Sequence, residues 1–249
     1  MNKIQEEKEA SKKYMLSVIE NTSPCLVSLT PDNVARIEAM ISNDSNYLKG
    51  QDKDNKPSDK SNGSTAFWMN ELKKVLLENK KSQYSYRTIL SEAVCAVDRE
   101  NSTHLNADGV GRKQVADRIY QIPKDKLIEY LKFPDKTNLE IIRRISRKTS
   151  PENTTAMARQ NPSFASKFCH YACFYLFENK KYQDNFSIYD NVLRKVVPLY
   201  ARHFGIDCAN LDDYANYRTV IDSILKKSGN KISRNGFDHL LWYYFKGRL

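Results

Sequence analysis

What the chain lacks narrows the field first. It has no uninterrupted apolar run of the roughly 18 residues that a membrane-spanning helix needs, so no transmembrane span is expected. Its opening segment, MNKIQEEKEASKKY, is charged and leads into no signal-type apolar core, which points to a cytoplasmic protein. There are five cysteines, an odd count, and none stands in a CxxC frame. A disulfide scaffold and a zinc ribbon are therefore disfavoured, and the thiols read as reduced side chains. Cys169, His170 and Cys173 are close in sequence, but a helix turns Cys169 and His170 to different faces, so no metal is expected there. Nowhere do four or more residues alternate apolar and polar with β-branched enrichment, the signature of a half-buried strand. The expected fold class is all-α, a multi-helix globular fold of eight to ten helices.

What is present is length and positive charge. The 249 residues are enough for one or two domains with a sizeable core. Forty Lys and Arg against thirty Asp and Glu leave a formal charge of +10. That excess suits a polyanion, nucleic acid being the commonest, and is equally the mark of a generic lysine-rich soluble protein.

Along the chain, residues 1–22 read as a polar helix. Thr30-Pro31-Asp32 is a helix start, with Thr30 as the cap and Pro31 in the first helical position. The apolar spacing of Val34, Ile37, Met40 and Ile41 continues that helix. Residues 42–65 are almost purely polar and read as a mobile loop or linker. This gives three regions: N-terminal helices at 1–41, the linker at 42–65, and a helical domain at 66–249. Within the last, helices are expected over 66–80, 84–97, up to Tyr120, 125–132, 138–148, from Pro151 to Arg159, 163–177, from Asp190, 211–227 and 233–245. Gly109-Val-Gly-Arg-Lys113 reads as a turn or as a phosphate-binding helix start.

The segment from Asn161 to Arg202 organises the rest. Its first helix is apolar around most of its circumference, which marks a buried helix. Yet it carries Lys167, with His170 one turn on. A loop then leads to Ile188-Tyr189-Asp190, and Asp190 stands at the start of the next helix. A lysine in an apolar setting loses charge stabilisation and can become a neutral, nucleophilic amine. An aspartate can support a developing cation. Each residue also has a plain structural use: Asp190 as a helix cap, and Lys167 snorkelling to water.

The pattern SFASKFCHY followed by FSIYDNVLRKV resembles the helix-hairpin-helix DNA glycosylases, in particular the 8-oxoguanine glycosylase branch and its compact bacterial members. The resemblance covers roughly residues 150–205 and implies a two-lobed helical fold. It also implies that Lys167 is the nucleophile at the sugar C1′, with Asp190 assisting. Where that family has a glycine-rich hairpin turn, this chain reads Asn161-Pro162-Ser163-Phe164-Ala165-Ser166, so the Ser163 and Ser166 hydroxyls become the phosphate-holding candidates. The family's last helix helps line the base pocket, and here that helix offers Asp238 with Trp242 four residues on. His170 and Tyr189 are further base-contacting candidates. Arg143, Arg144, Arg147 and Lys148 form a basic run able to hold phosphates without reading sequence.

The expectation is a DNA glycosylase with AP-lyase activity that needs no cofactor and acts on duplex DNA carrying a damaged or modified base. The alternative is a non-catalytic DNA-binding or protein-interaction module on the same fold. A helical RNase built on Arg202 and His203 is a third class.

Overall fold

The computed structural model describes residues 6, 10, 13, 17–23, 25–43, 63–101, 103–105, 110–147 and 161–246, with backbone alone at 41–43 and 110. Among these the fold is all-α, with a single two-stranded sheet. The chain divides into two compact units, residues 50–189 and residues 1–49 with 190–249.

In the 50–189 unit, the helices are α2 (Thr65–Leu76), α3 (Tyr86–Asn101), α4 (Val110–Tyr120), α5 (Lys124–Lys132), α6 (Glu140–Ser146), α7 (Pro162–Leu176) and the short α8 (Lys180–Gln183). Helix α7 is the hub: α2, α3, α5, α6 and α8 all pack on it. Phe164, Ala165, Phe168, Cys169, Ala172 and Cys173 are fully buried there. Each buried aromatic or aliphatic side chain contributes on the order of 1.5–3 kcal/mol by leaving water. The expected all-round burial has gaps, since Phe174 is 43% exposed and Tyr171 and Tyr175 are half-buried. Helix α2 starts where Ser64 accepts a hydrogen bond from the Phe67 amide. Trp68, Met69 and Leu72 face its core. Helix α6 is entered through Asn138 and Leu139, both at positive φ. Leu139 tolerates that rare conformation while buried at 8% exposure.

In the other unit, an antiparallel hairpin pairs β1 (Asn21–Ser23) with β2 (Leu26–Val27), with a bulge between the Asn21↔Val27 and Ser23↔Leu26 pairs. Helix α1 (Pro31–Asn43) follows, and then, from the C-terminal part of the chain, α9 (Asn191–His203), α10 (Tyr214–Lys227) and α11 (Arg234–Phe245). Helix α11 packs on α1, α9 and α10. The hairpin corrects the expectation that residues 1–22 are helical to their end. Positions 6, 10, 13 and 17 are helical, but Asn21–Ser23 are extended. Proline at position 24 disfavours a helical residue before it, and three residues are too few to show a period of two. The Thr30 cap is present, its hydroxyl accepting from the Asn33 amide at 3.2 Å.

The unit boundaries lie at 49/50 and 189/190, whereas composition suggested 41/42 and 65/66. Most of the polar linker, the glycines of 109–113 apart from Gly111, and the helix from Pro151 to Arg159 lie outside the described residues. No helix among the described residues is long and apolar enough to cross a membrane.

Candidate functional site

Helix α7 begins at Asn161-Pro162. Proline fits the first helical position because the amide it lacks would have had no partner inside the helix. Six residues into the helix, Lys167 is 9% exposed. Its Nζ donates to the Asn101 carbonyl at 3.4 Å, at the C-terminal end of α3. A cation at a helix C-terminus meets the negative end of the helix dipole. Asn101 is held in turn. Its Nδ2 donates to the Val97 carbonyl at 2.9 Å, and its Oδ1 accepts from the Tyr171 hydroxyl at 3.0 Å. Lys167 and Tyr171, four residues apart on α7, thus grip one residue on α3.

Beneath this grip lies a charged knot. Asp98, 3% exposed, accepts from the Thr103 hydroxyl, the Leu105 amide at 3.0 Å and Arg112 Nε at 2.7 Å. Burial alone would raise the Asp98 pKa, but these three donors outweigh it and hold the carboxyl below its usual range. The knot fixes the chain as it leaves α3 and ties it to α4. Sequence reading missed Asn101, Tyr171, Asp98 and Arg112. Asn101 is an unremarkable helix-end residue until α7 is placed beside it.

The other residues singled out on α7 serve the turn into the following segment. His170 is 2% exposed, and its Nδ1 lies 3.2 Å from the Phe186 carbonyl. A carbonyl can only accept, so Nδ1 carries the hydrogen. Ser166 is fully buried, its hydroxyl donating to the Ser163 carbonyl and accepting from the Tyr189 amide, both at 3.0 Å. A phosphate from solvent does not reach a hydroxyl so placed, which leaves half-buried Ser163 as the more accessible of the two. Tyr189 is 4% exposed, its backbone held by Ser166.

Helix α6, packed on α7, carries Arg143 and Arg144 of the basic run, and Arg147 caps its end. Arg143 and Arg147 are exposed. Arg143 donates to the Asn138 carbonyl, and Arg144 pairs with Glu140 at 2.8 Å. Arg118 of α4 donates to the Arg147 carbonyl at 2.8 Å. Burial, and then the Arg147 charge, pull the Arg118 pKa below the usual arginine value. Lys148 lies outside the described residues.

Asp190 is the first residue of the second unit's C-terminal part. It is 7% exposed and caps α9, its Oδ1 accepting from the Leu193 amide at 2.8 Å. Capping occupies one of two carboxylate oxygens. In the same unit, α11 places Asp238 at 1% exposure. Trp242, one turn on, is half-buried, with Lys246 Nζ 4.2 Å from its ring centroid. A base stacking on that face of Trp242 would displace Lys246. His239 sits 3.6 Å from Glu38 of α1.

The structure therefore gathers Lys167, His170, Ser163, Ser166, Tyr189 and the α6 arginines in one unit, and Asp190, Asp238 and Trp242 in the other. Among the described residues no three His, Cys, Asp or Glu side chains converge as metal ligands. Compared with known proteins, the chain matches no family model, no curated protein and no solved structure.

Proposed function

We propose that the protein is a DNA glycosylase with lyase activity, and that Lys167 is its nucleophile. The observation that carries this reading is the burial of Lys167 on a helix otherwise lined with Phe164, Phe168, Cys169 and Ala172. Withdrawing an ammonium from water costs several kcal/mol, so a lysine has no packing advantage over methionine or leucine at this position. The Asn101 carbonyl, on a residue that Tyr171 holds in place, sets where the amine points. Once deprotonated, the amine attacks C1′. The N-glycosidic bond breaks and its electron pair leaves with the base. The sugar ring opens to an iminium on Nζ, loss of a C2′ proton follows, and the 3′ phosphate departs. Asp190 is the carboxylate that the family likeness pairs with this step. The exposed Arg143 and Arg147 are candidates for phosphate contacts on the duplex.

A second reading has its own observations. The Lys167 ammonium rests on a backbone carbonyl, Ser166 bonds internally, and Asp190 caps a helix. These are the uses the residues would have in a non-catalytic DNA-binding scaffold.

Borohydride trapping separates the two. Duplexes carrying an abasic site, 8-oxoguanine or other modified bases are incubated with the protein, Lys167→Ala and Asp190→Asn. A covalent adduct lost in Lys167→Ala supports the enzyme. No adduct and no base release on any substrate, with salt-sensitive DNA binding intact, leaves the scaffold.

A further inference from the structure

The end of α5 and the loop around α8 form a surface that the glycosylase reading does not use. Three aromatic rings meet edge to face. Phe133 and Tyr182 have centroids 5.9 Å apart, and Tyr182 and Phe177 5.7 Å. Two ammoniums lie over the same rings. Lys132 Nζ is 5.4 Å from the Phe177 centroid and 5.7 Å from that of Tyr182, and Lys136 Nζ is 5.2 Å from that of Phe133. Phe133 is nonetheless 38% exposed, Lys136 is exposed, and so are Lys180 and Lys181 on the short helix that carries Tyr182.

The backbone beneath is braced. Asn185 Nδ2 donates to the Leu131 and Lys132 carbonyls at 2.7 and 3.0 Å, closing the end of α5. Gln183 Nε2 donates to the Phe174 and Phe177 carbonyls at 3.1 and 2.6 Å, closing the end of α7. The carboxylate nearest in sequence to Phe177, Glu178, is paired with Lys73 at 3.2 Å. A single exposed phenyl ring is ordinary on a protein surface, and what marks this one is the cluster it belongs to. Here the ring belongs to a cluster with four lysines, Lys132, Lys136, Lys180 and Lys181, against two carboxylates, the exposed Asp135 and the half-buried Asp184.

We infer that this surface binds single-stranded nucleic acid, with a base stacked on Phe133 and its flanking phosphates met by Lys136, Lys180 and Lys181. Stacking is tolerant of sequence because every base has a π-face, and lysines over and beside the ring supply the charge complement of the backbone. Tyr182 packs edge to face on Phe133, and Lys136 Nζ lies 5.2 Å from the Phe133 centroid, so a base stacking on that ring moves the ammonium aside toward its own flanking phosphate. The surface does not depend on Lys167, so its occupant is a loop, a displaced strand or a free single strand, and not the nucleotide undergoing chemistry.

The test is fluorescence anisotropy of the full chain with a labelled oligothymidylate of about 15 nucleotides, a length that spans one stacking platform with room on both sides. Phe133→Ala and Phe133→Leu should weaken binding by about 5- to 150-fold, the range for losing one stacked base, while Phe133→Trp should bind as the wild type does. Lys136→Met should make the dependence of log affinity on log salt shallower by about 0.7. Lys167→Ala should bind the oligonucleotide as the wild type does, so that loss of trapping and loss of stacking are read separately. Unchanged binding in Phe133→Leu overturns the proposal. So does equal competition by polyglutamate that Phe133→Leu also abolishes, since the partner is then an acidic polypeptide.

Discussion

The two units tie distant segments together with different polar groups. In the 1–49/190–249 unit the ties that hold the hairpin are neutral, while Arg234 of α11 pairs with Asp222 of α10 at 2.6 and 2.7 Å. The Tyr200 hydroxyl donates to the Val27 carbonyl at 2.6 Å, and the Tyr244 hydroxyl to Asn21 Oδ1 at 2.9 Å. Asn33, fully buried, donates to the Glu20 and Ser28 carbonyls at 2.9 Å and accepts from the Glu20 amide. These bonds fasten the hairpin to α1, α9 and α11. In the 50–189 unit neutral ties such as Tyr171 to Asn101 stand beside buried ones that carry charge. Asp98 holds Thr103, Leu105 and Arg112, and Glu71, 6% exposed, holds Lys74 and Ser82. A neutral tie contributes about 1 kcal/mol and ignores pH, whereas a buried carboxylate is strong only while ionised and fully paired. The ties of the hairpin should thus be insensitive to acid where those at the end of α3 are not. Trp68 lies in the 50–189 unit and Trp242 in the other, so fluorescence reports each, and a Trp242→Phe background isolates the first.

The largest effect is expected from Asp98→Ala. It strands the partly buried Arg112 and leaves the Leu105 amide without its acceptor, at a cost of about 2–4 kcal/mol. The Trp68 transition in urea should move to lower denaturant while the Trp242 transition stays. If both move together, the units unfold as one and the comparison between them fails.

Acid sharpens the same contrast. For Glu71, burial raises the pKa, but Lys74 and Ser82 lower it further, so the net shift is downward, as for Asp98. A carboxyl with a lowered folded pKa binds fewer protons in the native state than in the unfolded one. Its stabilisation is complete above the unfolded values, about 3.9 for Asp and 4.3 for Glu, and is lost as pH falls through the lower folded value. The midpoint followed at Trp68 should drop from about pH 5 downward. In the other unit, Glu38 is also lowered, first by its hydrogen bond to His239, but its side chain is 52% exposed and the pair is worth little. An acid transition seen first at Trp242 would reverse the assignment.

Tyr200→Phe should cost about 1 kcal/mol, felt in the Trp242 transition, because it leaves the buried Val27 carbonyl without its donor. Hydrogen exchange at residues 25–29 should quicken in that variant more than exchange at the end of α3.

What the sequence disclosed follows from range. The helices were readable because each signal, such as the Thr30 cap or the Ile37–Met40 face, is contained within a few residues. Lys167 stood out because one charge interrupted a local apolar run. Its setting did not, because Asn101 and Tyr171 meet across a separation of 70 positions, and no local period encodes that. Ser166 shows the same limit: in the first turns of the helix it reads as a hydroxyl available to a ligand, and only the fold reveals the Tyr189 amide bonded to it. The hairpin at 21–27 escaped because it is shorter than any window that could detect it.

The smallest expected effect concerns Asp190, where a cap and a catalytic carboxylate make different demands on one side chain. Asparagine caps as well as aspartate, so Asp190→Asn should change stability by no more than a few tenths of a kcal/mol, while Asp190→Ala should cost about 1 kcal/mol. Capping needs an oxygen on Leu193, whereas support for a sugar cation needs the negative charge. Asp190→Asn thus keeps the first and removes the second. If borohydride trapping falls in Asp190→Asn while the Trp242 transition is unmoved, the carboxylate has a role beyond its helix. If trapping survives in Asp190→Asn and falls in Asp190→Ala only in step with stability, Asp190 is a cap, and Lys167 carries the chemistry without it.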